Sequence, residues 1–270
     1  MEIKDYPSGK TALYAFNVQG APKAAILLVH GLGEHAGRYS GWAGRFVEKG
    51  ITLRAFDLPG HGNSDGRRGV ITSLEKVYDT IDALIADITS ELPGVPLFIY
   101  GNSLGGGLVL NYLVRRKPEL TGAIVTSPWV ILTETPPKAK VILAKVAGKI
   151  MPGLVQPTGL KTEYLSHNPE VVSQYRSDPL VHGMISTGLF NAMTVASFET
   201  LARASEITLP LLLAHGREDM ICSPAGSLQV AEAAPRATLK LWEGGYHELH
   251  NDNTSDELFD FIIAWIDTLL

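Results

Sequence analysis

A single cysteine, Cys222, stands among 270 residues. That excludes an intramolecular disulfide and fits a reducing compartment. No apolar run approaches the roughly 18 residues that span a bilayer. The opening MEIKDYPSGK has no apolar core of signal-peptide length. The expectation is a cytoplasmic protein whose contact with membrane, if any, is peripheral. Extended basic runs are missing too, and the net charge is −5, which argues against a nucleic-acid surface. Charged residues make up only 19% against 45% apolar. That balance suits a packed globular core of ordinary size, not a disordered chain. Repeats and low-complexity tracts are absent. Histidines at metal-binding helical spacing are absent as well: in HELH (247–250) the second histidine comes one residue too early for H-E-x-x-H. No metal and no cofactor is expected.

What is present is an alternation of buried strands and amphipathic helices. AAILLV (24–29), the run 51–56, the run 96–100 and the run 122–126 are short and apolar, as strands buried on both faces are. Between them, 38–49 and 73–92 carry apolar residues at helical spacing; in the second, Thr72 and Glu75 form a capping-box pattern. From Pro128 to about Ala196 the strand rhythm stops and prolines and glycines interrupt short apolar stretches. It resumes with strands at 209–214 and 237–241 and helices at 224–234 and 254–270. The pattern predicts an α/β fold, a mostly parallel sheet flanked by helices. The core would comprise 1–127 and 197–270, and a helical cap would be inserted at 128–196.

Chemistry concentrates in PLFIYGNSLGGG (96–107). A strand that turns at once into a helix holds its central residue in a strained conformation, and side chains two positions either side collide. Gly101 and Gly105 remove that collision, so Ser103 becomes a candidate nucleophile at the carboxyl edge of the sheet. The N–H of Leu104, at the helix start, can donate to an oxyanion. A serine needs a base and an acid, and on such a sheet they come later in the chain, acid first. Strand 209–214 runs into His215-Gly216-Arg217-Glu218-Asp219, and strand 237–241 into a loop holding His247. His247 is the predicted base and Asp219 the acid, with Glu218 and Glu248 as competing carboxylates. His30, His35, His61 and His215 read as loop-packing residues near the same edge.

Three other readings use part of this pattern. Gly31-x-Gly33-x-x-x-Gly37 after a strand imitates a dinucleotide fingerprint, but its third glycine is late and Glu34 and His35 crowd the turn. A non-catalytic ligand-binding protein of the same fold would commonly lack one of the three residues. A hydrolase of another substrate, such as a general short-chain carboxylesterase or an aminopeptidase, differs only in the cap.

The segments HGLGEHAGRY (30–39), DLPGHGNSDGRR (57–68), GNSLGG (101–106), SDPLVHG (177–183), HGREDMICSP (215–224) and YHELHN (246–251) together resemble the α/β-hydrolases of the monoacylglycerol lipase and lysophospholipase family, over nearly the whole chain. The resemblance implies Ser103, Asp219 and His247 as the triad and Leu32 as second oxyanion donor beside Leu104. It implies a pocket for the alcohol end of the substrate at Glu34, Arg38, Tyr175 and His250, and puts Cys222 near the site. The partner it implies is a small acyl ester, a monoacylglycerol or similar single-chain ester; the alternatives are a lysophospholipid or a simple short-chain ester. Asn102 and Leu104 depart from the histidine and methionine usual beside the nucleophile. In the cap, VILAKVAGKIM (141–151) with Lys138, Lys140, Lys145 and Lys149 either rests on an anionic lipid surface or only packs on the sheet.

Overall fold

The computed structural model describes residues 1–134 and 150–270. It opens with a hairpin, β1 (Glu2–Tyr6) and β2 (Gly9–Phe16), with Tyr6 opposite Gly9. The polar, exposed EIKDY of β1 gives no apolar signal, and this strand was not expected. Then come β3 (Ala24–Val29), α1 (Ser40–Glu48), β4 (Ile51–Phe56), α2 (Leu74–Glu91), β5 (Leu97–Asn102), α3 (Leu104–Arg116) and β6 (Gly122–Thr126). The next segment holds β7 (Val155–Pro157), α4 (Pro169–Ser177), β8 (Met184–Ser186) and α5 (Thr187–Arg203). The chain closes with β9 (Leu211–Gly216), α6 (Pro224–Ala233), β10 (Ala237–Trp242) and α7 (Ser255–Asp267).

Eight strands form one sheet in the order β1-β2-β4-β3-β5-β6-β9-β10. From β4 to β10 all neighbours are parallel, and the hairpin adds two antiparallel pairings at one edge. The expected α/β fold is what the chain adopts. Why it takes two helical layers is visible in β3. Ala25, Leu27 and Val29 enter one core and Ala24, Ile26 and Leu28 the other, so neither face can be left to water. Val77, Ile81 and Leu84 of α2, with much of α3, cover the first face. Trp42 and Phe46 of α1, with Leu258, Phe259 and Ile262 of α7, cover the second.

This topology decides where chemistry can sit. The chain leaves β3 for β4 on one side and returns across it to β5 on the other. The loops after β3 and β5 therefore open side by side at the carboxyl edge, the crevice where such sheets bind ligands.

Two local expectations change. The cap of α2 is Ser73, whose hydroxyl accepts from the Lys76 N–H, and not Thr72. The region 128–196, expected without strands, contains β7 and β8, a short antiparallel pair. The basic stretch expected at 141–151 lies, for 141–149, outside the described residues, as do Lys138 and Lys140. Helix α5 begins at Thr187 inside the expected insertion and continues to Arg203, with Leu189 and Met193 packed in the core beside α3.

Candidate active site

Ser103 sits between β5 and α3 at φ 55°, ψ −118°, a region non-glycine residues occupy only when the surroundings force them, at a cost of about 1–3 kcal/mol. The forcing groups are identifiable. The Ser103 N–H donates to the Thr126 carbonyl, and the Ser103 carbonyl accepts from the N–H groups of Gly107 and Trp129, all at 2.9–3.0 Å. A Cβ at Gly105 would lie 2.0 Å from the Val29 carbonyl oxygen, and one at Gly101 2.5 Å from that of Gly105. The turn is tight enough that only glycine fits at both flanks, so the helix starts hard against the sheet and the serine side chain stands up from it.

The structure brings the two later residues to this serine. His247, in the loop after β10, faces Ser103 Oγ through Nε2 at 2.8 Å, and its Nδ1 lies 2.7 Å from Asp219 Oδ2. Asp219, just beyond β9, is 2% exposed, whereas neighbouring Glu218 is exposed to solvent. The other Asp219 oxygen accepts from the N–H groups of Ile221 and Cys222 at 2.8 and 2.9 Å. Burial would raise the Asp219 carboxyl, but the charge on His247 and hydrogen bonds from His215 and His247 outweigh it and hold the group well below the usual carboxylate range. On His247, burial opposes the charged ring; the Asp219 carboxylate, helped by Glu248 and Glu34, still raises its pKa above that of an ordinary histidine. A serine hydroxyl aimed at an imidazole that is in turn anchored on a carboxylate can be deprotonated as it attacks a carbonyl carbon.

Beside the serine lies the loop after β3. Leu104 is the first residue of α3, so its N–H has no intrahelical acceptor. The N–H of Leu32 has no hydrogen-bond partner among the described residues. The loop is held by Glu34, whose Oε1 accepts from the Gly31 N–H at 2.6 Å and from the Tyr39 hydroxyl at 2.8 Å. Glu34 fills the turn that a pyrophosphate would occupy, and the His182 carbonyl closes over Gly33. The dinucleotide pattern therefore has no room for its ligand.

Of the four residues expected to hold the alcohol end, Glu34 and Tyr175 line the cavity above Ser103. Arg38 lies behind them, bidentate on Glu248 at 2.8 Å, bonded to Glu34 and stacked 4.7 Å from the Tyr175 ring centroid. Burial of this guanidinium is offset by the two carboxylates. His250 is also behind the wall, stacked on Tyr39 at 4.7 Å. Glu248, weighed from sequence only as a rival acid, is instead a wall residue; Arg38 outweighs its burial and keeps it ionised. No periodicity marks it, because its partner is 210 positions away.

The cavity measures about 940 Å³ and is mostly apolar, with Trp129, Leu132, Leu165, Ile185, Phe190 and Ile221 among its walls. Asn102 also lines it, its side chain accepting from the Thr126 hydroxyl at 2.8 Å, whereas the Leu104 side chain is buried in the core. The Cys222 thiol lies in the same cavity wall and is fully buried; burial, with Asp219 nearby, pushes its pKa up and makes it a poor thiolate. His30, His35 and His61 are loop-packing residues as expected: His30 accepts from the Leu58 N–H, His35 pairs with Asp178, and His61 reaches the Pro59 carbonyl.

A family model described as serine aminopeptidase, S33 (Hydrolase_4) matches residues 20–254. An abhydrolase domain-containing protein of Dictyostelium discoideum is 37% identical over 91% of this chain, which spans only 26% of that longer protein. A monoacylglycerol lipase of Mycolicibacterium smegmatis is 33% identical over 91% of this chain and 88% of its own. The crystal structure of Paleococcus ferrophilus monoacylglycerol lipase superposes with a TM-score of 0.89 at 34% identity, covering the whole of both chains.

Proposed function

The chain belongs to the monoacylglycerol lipase-like α/β-hydrolases matched by the serine aminopeptidase S33 family model; it is a serine hydrolase, and we propose that it cleaves monoacylglycerols to glycerol and fatty acid. The observation that carries this reading is the unbroken relay from Ser103 through His247 to Asp219, at 2.8 and 2.7 Å, opening on an apolar cavity with one polar wall. Ser103 Oγ attacks the ester carbonyl carbon while His247 Nε2 takes its proton. The N–H groups of Leu32 and Leu104 hold the oxyanion, and Asp219 stabilises the imidazolium. His247 then returns the proton to the glycerol oxygen, which leaves. Water, activated by the same imidazole, releases the acid from Ser103.

The acyl chain fits among the apolar walls, whose volume is within the range of small-molecule sites. Glycerol hydroxyls would meet Glu34, Glu248 and Tyr175, with Arg38 and His250 supporting from behind. Two carboxylates against one guanidinium leave that wall net negative, which favours a neutral glycerol head over the phosphate of a lysophospholipid. Of the expected insertion 128–196, the part that precedes α5 would act as the cap. Exposed Ile150, Met151 and Leu154, the last also in the cavity wall, support contact between that segment and a lipid surface. No helix among the described residues is long and apolar enough to cross a membrane. The free, buried Cys222 supports a reducing compartment, and we infer a cytoplasmic enzyme that visits lipid peripherally.

Hydrolysis rates for monoacylglycerols, lysophospholipids, short p-nitrophenyl esters and aminoacyl p-nitroanilides test the reading. Fastest turnover of monoacylglycerol is expected. Turnover confined to the short esters, or release of p-nitroaniline in preference to fatty acid, would overturn it.

A further inference from the structure

His215 has no role in the relay just described, yet it is fully buried and all its polar atoms are engaged. Its Nε2 lies 3.1 Å from Asp219 Oδ2 and 2.9 Å from the Cys222 carbonyl oxygen, and its Nδ1 lies 2.7 Å from Ser227 Oγ. Both neighbours of Nε2 only accept, so that nitrogen carries the hydrogen. In the neutral ring Nδ1 then accepts from the Ser227 hydroxyl. The two acceptors at Nε2 select that tautomer, and Ser227, buried on α6, completes it by donating to Nδ1.

Asp219 Oδ2 is therefore shared. It accepts from His247 at 2.7 Å on one side and from His215 on the other, while Oδ1 is tied to two backbone N–H groups. We propose that His215 is a positioning residue for the hydrolysis: it fixes the carboxylate plane and the loop 219–222, so that one oxygen of Asp219 points at His247 Nδ1. The ring belongs to β9 and its anchor to α6, so the acid is braced against the fold and not only by its own loop. This role rests on the proposed function of the Ser103 site.

The test compares His215→Gln, His215→Asn and His215→Leu, with Ser227→Ala, in the full chain. Rates are measured on a monoacylglycerol, and thermal unfolding follows stability. A glutamine amide reaches where Nε2 stands; the asparagine amide is one bond too short, and leucine offers no donor. The loss of one hydrogen bond to a buried carboxylate corresponds to roughly 10- to 100-fold. His215→Leu and His215→Asn should lose that much in kcat at nearly constant KM, while His215→Gln stays within about fivefold of wild type. Ser227→Ala should show a smaller loss in the same direction. If His215→Leu does not fold, the comparison of glutamine with asparagine decides. Equal kcat in those two variants, or variants that lose stability with kcat unchanged, would overturn the proposal. A wild-type protein with no ester turnover would instead refute the hydrolase reading beneath it.

Discussion

Replacing Arg38 by methionine isolates the electrostatics of the polar wall. Methionine keeps most of the aliphatic stem, so packing changes little, but the cation between two buried carboxylates is gone. Side-chain exposure is 10% for Arg38 and 3% for each of Glu34 and Glu248, so water cannot replace it without opening the site. Removing one partner of such a buried pair costs about 3–5 kcal/mol, a large share of a domain's stability. The sign of the pH dependence follows from Glu248. In the wild type Arg38 holds its carboxyl below the usual range. That stabilisation is complete above the ordinary glutamate pKa and is lost only as pH falls through the depressed value. In Arg38→Met the largest opposing group is gone and only the Asn251 amide and His250 still counter burial, so Glu248 moves up and mild acid neutralises the orphaned charge. Urea unfolding of both proteins at pH 7.5 and 5.5 should show a deficit of about 4 kcal/mol at the higher pH that narrows at the lower. A deficit below about 1 kcal/mol, or one that widens on acidification, would refute the reasoning.

Three further outcomes are expected. Activity should fall as pH drops through the raised pKa of His247, placing the acid limb of kcat/KM above the ordinary histidine value of 6.5; a limb below it would contradict the assigned environment. Gly105→Ala puts a methyl 2.0 Å from the Val29 oxygen, so it should destabilise by about 4 kcal/mol or more or prevent folding, as read by thermal unfolding of soluble protein. Asp219→Asn should fold normally but lose about 10⁴-fold in kcat, whereas Glu218→Gln, at an exposed position, should be close to wild type.

Much of this was legible in the chain because each feature is local. A strand buried on both faces must read as an unbroken apolar run, and AAILLV does. A strained turn needs glycines at fixed offsets, and 101 and 105 supply them. Triad order follows from strand order, so Asp219 and His247 could be named before their distance was known. What escaped depends on which residues the fold sets side by side, whether near or far in the chain. The strand β1 is paired through its backbone at an exposed edge, where polar side chains carry no signal. Glu248 and Arg38 are ordinary residues until the fold sets them together. His215 looks like any loop histidine until Asp219 and Ser227 converge on it. The pair β7 and β8 is three residues a strand, too short for periodicity to register.

The most direct test of the central claim is covalent: peptide mass spectrometry after exposure to a serine-directed alkyl phosphonate, run beside hydrolysis of a monoacylglycerol. The account predicts a single adduct on the peptide containing Ser103, loss of turnover in step with labelling, and neither labelling nor turnover in a folded Ser103→Ala protein. Labelling at another serine, or wild-type turnover by Ser103→Ala, would contradict it.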